Sequence, residues 1–405
     1  MVLRCGTNMI YSVDDFDIEP FYQSVKADPF LRGFTDGVGR FHDLPTLDKT
    51  RLRALIQQNF DLGTEKKGVY LQRTSGTLEE SVLIPVDPFE NFRQREILIA
   101  KLKEERLVEP TDIFVNLFNY KHLYRSASLL DYILEHAGAT SVGLGAITPD
   151  EYVVNFMRML KVNGLVGSPS RINQLANYCK AQGLKFPIRK FLFGGEVLPD
   201  YFLSNIREQF GVEQIIGLYG AMEIGTFGYS DYSKWGNRYK ILTDMIYAEI
   251  ENPDGDGFGN LVITNKIKKR FPIVRFRLGD IGRLRKEGDV TWFEWKKRGD
   301  YGFRIQQTYV FQDMITPLVK DFGRYQIQLS LGERSRTKVR MVVSGSDIVP
   351  DKVAHLEAQL RKTIGIAESE YELEVVATSN ESDFIMNSVS LKTPLLVDNR
   401  KTIRA

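Results

Sequence analysis

Three short stretches carry residue types that could act on a phosphorylated substrate. Thr74-Ser75-Gly76-Thr77 sets three hydroxyls around a glycine. Backbone N–H groups in such a turn cradle anions, and glycine lets the chain approach a phosphate closely. Glu223 closes Tyr219-Gly220-Ala221-Met222-Glu223. A carboxylate after a strand and a glycine turn can hold Mg2+, a hard cation that takes oxygen ligands. Asp280, in R-F-R-L-G-D, can accept hydrogen bonds from both hydroxyls of a ribose. Taken singly, each also fits a polar turn or a solvated acid; their order and spacing in one chain give them weight.

The elements that must position these residues read as an α/β chain. Thr148 is expected to cap a helix with Pro149 at its first position, Glu151 in a capping box and Gly164 as its stop. Val153, Phe156, Met157 and Leu160 carry the spacing of a buried face. Leu165 to Pro169 reads as a short strand entering a turn. Phe191 to Phe193 reads as a strand, Gly194-Gly195 as a turn, and Pro199 to Gly211 as a helix with Leu203, Ile206 and Phe210 inward; Gln214 to Tyr219 reads as the next strand. Strand, glycine turn, helix and strand make a βαβ unit, which puts Gly194-Gly195-Glu196 and Tyr219 to Glu223 at one sheet edge. Leu261 to Thr264 and Val274 to Phe276 read as strands beyond the turn-rich Asn252 to Gly257. The last hundred residues suggest a small α+β unit: strands at Val339 to Val343 and Tyr371 to Ala377, and a helix over Asp351 to Thr363 with Val353, Leu356 and Leu360 inward. The charged run Lys296-Lys297-Arg298-Gly299-Asp300 marks the expected boundary.

The totals exclude several classes. At 405 residues the chain is long enough for two or three domains. With 54 Lys and Arg against 52 Asp and Glu, the net charge of +2 gives no footprint for nucleic acid. Cys5 and Cys179 cannot build a disulfide framework, and His42, His122, His136 and His355 have no ligand spacing. No signal region or bilayer-length apolar stretch stands out, so the expectation is a cytoplasmic protein without a membrane partner.

In order along the chain, Thr74-Ser75-Gly76-Thr77, Gly194-Gly195-Glu196, Tyr219 to Glu223, Arg277-Leu278-Gly279-Asp280 and Arg298-Gly299-Asp300 resemble the adenylate-forming enzymes (acyl-CoA synthetases and adenylation domains), and among them the phenylacetate–coenzyme A ligase type. The resemblance runs from about residue 20 to the C-terminus and is most specific in G-G-E-V-L-P, L-Y-G-A-M-E and R-F-R-L-G-D-I-G-R-L. It implies a large N-terminal adenylation domain over 1–299, of mixed sheets and helices with βαβ units, and a small mobile α+β lid over 300–405. Thr74, Ser75, Gly76 and Thr77 would hold the phosphates of ATP. Gly195 and Glu196 would lie against adenine, and Tyr219 and Gly220 beside adenine or substrate. Glu223 would bind Mg2+, Asp280 would grip the ribose with Arg298 assisting, and Asp300 would be the hinge. A lysine six residues before the aspartate of a closing Val-Asp-x-Arg would enter the site with the lid; here Lys392 precedes Val397-Asp398-Asn399-Arg400 at that offset. The acid would sit among Asn119, Tyr120, His122, Ser168 and Gly217. The implied activity is ATP-dependent activation of a carboxylic acid, aromatic by family habit, as an acyl-adenylate. Transfer to coenzyme A would follow, or to a carrier-protein thiol or an amine; a homodimer is the expected oligomer.

Three departures qualify this. Leu78-Glu79-Glu80 replaces the glycine and lysine that usually follow the threonine of the phosphate loop, and two acids there oppose a triphosphate. Gln306-Gln307 stands where Arg-Gly usually meets the thiol acceptor. The stretch after Glu223 lacks the cysteines and histidines that hold zinc in some relatives, so no zinc is expected. The altered loop also admits a competing reading, a catalytically weak nucleotide- or acyl-binding relative.

Overall fold

The computed structural model describes residues 2–5, 8–64, 68–73, 83–118, 123, 125–195, 198, 200–298, 302–305, 308–320, 322, 324–332, 336–344, 348–385 and 396–401. The chain divides into two compact units. One comprises residues 1–74, 82–197 and 206–299; the other comprises 75–81, 198–205 and 300–405.

The larger unit is built on a thirteen-stranded sheet with a parallel and an antiparallel half. In the parallel half, Thr140–Gly143 forms the edge, followed by Ile113–Asn116, Gly164–Gly167, Lys190–Gly194 and Gln214–Ala221. The inner strands are short apolar runs such as Phe191-Leu192-Phe193, because helices cover such strands on both faces. Gly225–Asp231 then returns antiparallel to Gln214–Ala221, and the sheet continues through Arg238–Ile241, Val290–Arg298, Phe276–Glu287, Gly259–Asn265 and Ile246–Glu251. The two halves therefore meet at the Tyr219 to Glu223 stretch. Phe114, Phe276, Phe293 and Phe41 are among the fully buried side chains of a continuous core.

Several expected boundaries shift, each for a local reason. The helix expected from Thr148 runs over Asp150–Leu160, with Pro149 at its N-cap. The Thr148 hydroxyl donates instead to the Leu144 carbonyl at 2.5 Å. Glu151 is exposed, and it is Asp150 that is engaged, pairing with buried Arg171 at 2.6 Å. The helix ends at Lys161, which takes a left-handed φ of 52°, and Gly164 instead opens the next strand. A Cβ at Gly164 would lie 2.4 Å from the Phe114 ring, so strand packing explains this glycine. Val153 and Met157 are buried as expected, Val154 joins them, and Phe156 and Leu160 are only partly covered. Val274 falls outside the strand that begins at Phe276.

The second unit contains a four-stranded sheet ordered Tyr371–Ala377, Thr337–Ser344, Arg324–Leu331 and Leu396–Asp398. The helix Pro350–Ile364 buries Leu356, Leu360 and Ile364 and caps at Gly365 (φ 66°). The closing Val-Asp-x-Arg is ordered. Its strand pairs parallel with Arg324–Leu331, and Arg400 donates to the Asp398 carboxylate at 2.6 Å and to the Arg304 carbonyl at 2.6 Å.

Candidate active site

The site grows from the junction of the two half-sheets. Parallel pairing sets Gly194 beside Leu218, so Gly195 (φ 75°, exposed) and Tyr219 emerge at the same strand ends. Gly220 pairs with Thr226 in the tight return of the next strand. A Cβ there would lie 2.4 Å from the Gly225 carbonyl oxygen, so the hairpin requires glycine. Glu223 sits at this turn and is only 4% exposed.

Asp280 reaches the same place from the strand Phe276–Glu287 and is also 4% exposed. Its Oδ2 accepts from the Tyr219 hydroxyl at 2.8 Å, and its Oδ1 from the Trp295 indole N–H at 3.2 Å. An ionised carboxylate has about four lone-pair sites. A carboxylate with this capacity has the acceptor chemistry that a ribose diol needs. Arg298 is the backbone partner of Asp280 across the ladder.

Aromatic packing fixes the Tyr219 hydroxyl. Its ring stacks on Phe293 (centroids 5.3 Å apart, 20° between planes), tilts against Tyr239 at 5.0 Å and meets Phe227 edge-on at 5.1 Å. Gly282 makes room for this stack, since a Cβ there would lie 2.2 Å from the Phe293 ring. Burial, and then the nearby Tyr232 and Asp280, push the Tyr239 phenol well above its ordinary value, keeping it a neutral wall.

Glu223 is held from a second direction. The Lys268 ammonium donates to the Glu223 carbonyl at 2.6 Å, and the Asn265 amide donates to the Ile224 carbonyl at 2.8 Å. Burial pulls Lys268 down to about 8, with the Glu223 and Glu90 carboxylates acting in the opposite direction. Gln94 is 3% exposed and lies against Gly225; its amide has no protein partner among the described residues. No group of three His, Cys, Asp or Glu side chains gathers among the described residues. Mg2+ needs none, because it binds through one or two carboxylates plus substrate phosphates. A buried carboxylate at a glycine turn fits that donor set.

The remaining expected residues fall in different places. Ser168 is buried at the carboxyl end of Gly164–Gly167, where it occupies the N-cap position of the helix Pro169–Ala181 without a side-chain capping bond. Gly217 is buried under two rings; a Cβ would lie 3.1 Å from Phe193 Cζ and 3.2 Å from Tyr239 Cε1. Thr74, Ser75, Gly76, Thr77, Asn119, Tyr120, His122, Glu196, Asp300 and Lys392 lie outside the described residues, as does the Arg298 side chain. Sequence reasoning missed Trp295, Phe293, Tyr239 and Lys268. The first three lie on strands next to the site, where period-two alternation was the available signal; Lys268 sits inside a basic run that gave none.

No family model matches the chain. It is 28% identical over 267 residues to indoleacetate–lysine synthetase of Pseudomonas savastanoi, across 64% of this chain and 66% of that protein. It is also 28% identical over 164 residues to phenylacetate–coenzyme A ligase of Pseudomonas putida, across 37% of each. The chain is a relative of the adenylate-forming enzymes. It spans just under two thirds of the first relative's length and little over a third of the second's. A solved 2-hydroxyisobutyryl-CoA ligase, in complex with 2-HIB-AMP and CoA, superposes with a TM-score of 0.70 at 16% identity, over 95% of this chain and 87% of that one. The amide bond synthetase McbA from Marinactinospora thermotolerans gives 0.52 at 13% identity, over 88% and 80%. At these identities the structural matches establish the mixed α/β fold of this relative of the adenylate-forming enzymes. Among the described residues no helix is long and apolar enough to cross a membrane.

Proposed function

We propose that this protein uses ATP to activate a small carboxylic acid, aromatic by the family resemblance, as an acyl-adenylate and then passes the acyl group to a nucleophile. The observation that carries this reading is the buried Asp280 carboxylate, which accepts from the Tyr219 hydroxyl and the Trp295 indole beside the Glu223 turn. In the first half-reaction an oxygen of the acid attacks the α-phosphorus of ATP, the bond between the α-phosphorus and the bridging oxygen breaks, and pyrophosphate leaves. Like charges oppose that attack. Mg2+ bound at Glu223 would neutralise charge on the phosphates. Asp280 orients the ribose and the Tyr219 stack fixes Asp280, so the chain contributes mainly positioning and electrostatics. Thr74 to Thr77 are assigned to the phosphates, Lys392 to the charge developing at the α-phosphate, and Asp300 to the hinge of a lid over 300–405.

In the second half-reaction the nucleophile attacks the acyl carbonyl, loses its proton, and AMP departs. The resemblance assigns this role to the thiol of coenzyme A. A second reading, an amine, is favoured by the longer sequence match to a lysine-ligating synthetase and by Gln306-Gln307 at the acceptor position. Acid-dependent exchange of pyrophosphate into ATP tests the first half; none across a broad acid panel defeats the proposal. Mass spectrometry of products formed with coenzyme A, lysine, other amines and hydroxylamine decides the acceptor. Lys392→Ala is expected to abolish adenylation yet still transfer from a preformed acyl-adenylate.

A further inference from the structure

The segment Asn265 to Arg270 joins two parts of the larger unit that have no sequence proximity. At one end lies the turn that carries Glu223. Asn265 and Lys268 hold two successive carbonyls of that turn, those of Ile224 and Glu223. The Asn265 carbonyl oxygen of its side chain also accepts from the backbone N–H groups of Ile267 and Lys268, which shapes the segment itself.

At the other end lies the hairpin Tyr70–Arg73 with Leu83–Val86, which brackets the stretch assigned to the phosphates. Arg270 clamps both of its feet. One nitrogen of its guanidinium donates to the Gly68 carbonyl at 3.1 Å, just before the first strand, and to Asp87 at 2.9 Å, just after the second. Asp87 also caps the helix Pro88–Glu104 by accepting from the N–H groups of Phe89 and Glu90. Glu90 in turn accepts from the backbone N–H groups of Lys269 (2.9 Å) and Arg270 (3.1 Å). Hairpin feet, helix start, segment and glutamate turn thus form one continuous hydrogen-bonded path.

Lys268 is 4% exposed, while Lys269 beside it is exposed. Burying an ammonium costs several kcal/mol unless it is compensated. A residue serving only to fill space would be apolar. Resting on the function proposed above, we infer that Asn265 to Arg270 is a strap that ties the turn of the metal-binding glutamate to the feet of the strand pair Tyr70–Arg73 and Leu83–Val86, with Lys268 and Arg270 as its positioning residues.

The strap acts on metal-bound nucleotide and not on the acid, and the test follows from that. ATP binding is measured by calorimetry with Mg2+ and with EDTA, in the wild type and in Lys268→Met and Arg270→Met, alongside KM for ATP and for the acid in pyrophosphate exchange. The strap predicts ATP binding about tenfold weaker with Mg2+, a smaller loss with EDTA, a higher Mg2+ requirement and an unchanged KM for the acid. A purely structural role would lower the melting temperature and the active fraction without moving these constants, and that result overturns the strap. If Lys268→Met does not fold, Glu90→Gln weakens the same path from its other end and carries the same expectation. Wild-type protein that neither binds ATP nor exchanges pyrophosphate defeats the proposed function and the strap with it. Wild-type activity with unchanged variants defeats the strap alone.

Discussion

Two buried carboxylates on strands flanking Gly259–Asn265 have different chemistry around them: a guanidinium at one, a phenol and an indole at the other. Asp280 accepts from the Tyr219 phenol and the Trp295 indole. Glu249 is held by the guanidinium of Arg275 at 3.2 Å, and both side chains are at most 1% exposed. Arg275 is anchored further by the carbonyls of His42 and Leu44 and lies over the Phe41 ring. Burial raises Glu249 above the ordinary carboxylate range while Arg275 draws it back. The difference lies in where each acid stands. Glu249 spends its charge inside the core, where it fixes the strand Ile246–Glu251 against the segment around residue 44. Asp280 accepts from a phenol and an indole beside the turn that carries Glu223, the place where the proposed nucleotide site lies.

Removing each partner in turn can break that comparison. The largest effect is expected from Glu249→Ala, which strands Arg275 in the core and destabilises the fold by about 3–5 kcal/mol. Denaturant unfolding would show it, and nucleotide affinity of the folded fraction should be unaltered. Asp280→Ala should reverse the pattern, with ATP binding weaker by about 2–3 kcal/mol through loss of charge-assisted bonds and a smaller change in unfolding. If Asp280→Ala unfolds the protein as readily as Glu249→Ala, the contrast between ligand-directed and structural acids collapses. Tyr219→Phe keeps the aromatic stack and removes one bond to Asp280, so a loss near 1 kcal/mol in ATP affinity, about fivefold, is expected from calorimetry. The smallest effect concerns Cys179, a buried group with no ligand role. Burial, reinforced by Asp150, raises its thiol to about 12. Iodoacetamide at neutral pH should therefore leave Cys179 unmodified in the native protein and label it only after unfolding, as read by peptide mass mapping.

What was legible in the sequence followed local rules. Short apolar runs between glycine turns gave the strands Lys190–Gly194 and Gln214–Ala221, and a period of 3.6 gave the helix Pro350–Ile364. Helix ends were less legible. Thr148 has the chemistry of a cap, but the Leu144 carbonyl lies within reach of its hydroxyl and takes it. Gly164 looks like a helix stop and is a strand residue, because the Phe114 ring occupies the place of a side chain. Lys268 belongs to Lys266-Ile267-Lys268-Lys269-Arg270, a composition that suggests a solvated run. Its burial depends on Glu223 and Glu90, which lie 45 and 178 positions away.

The sequence by itself determined the order of the motifs, the kind of chemistry their side chains permit and the alternation of strands with helices. These depend on residue type and on periods of two and 3.6, which act over a few neighbours. Only the tertiary structure decided that Tyr219 and Trp295 hold Asp280, that Phe293 and Tyr239 fix Tyr219, and that Arg270 ties the hairpin feet to the segment holding the Glu223 turn. Such contacts arise from strand order and register across the sheet. Strand pairing can place residues from distant parts of the chain side by side, and no local pattern records which strands will be neighbours.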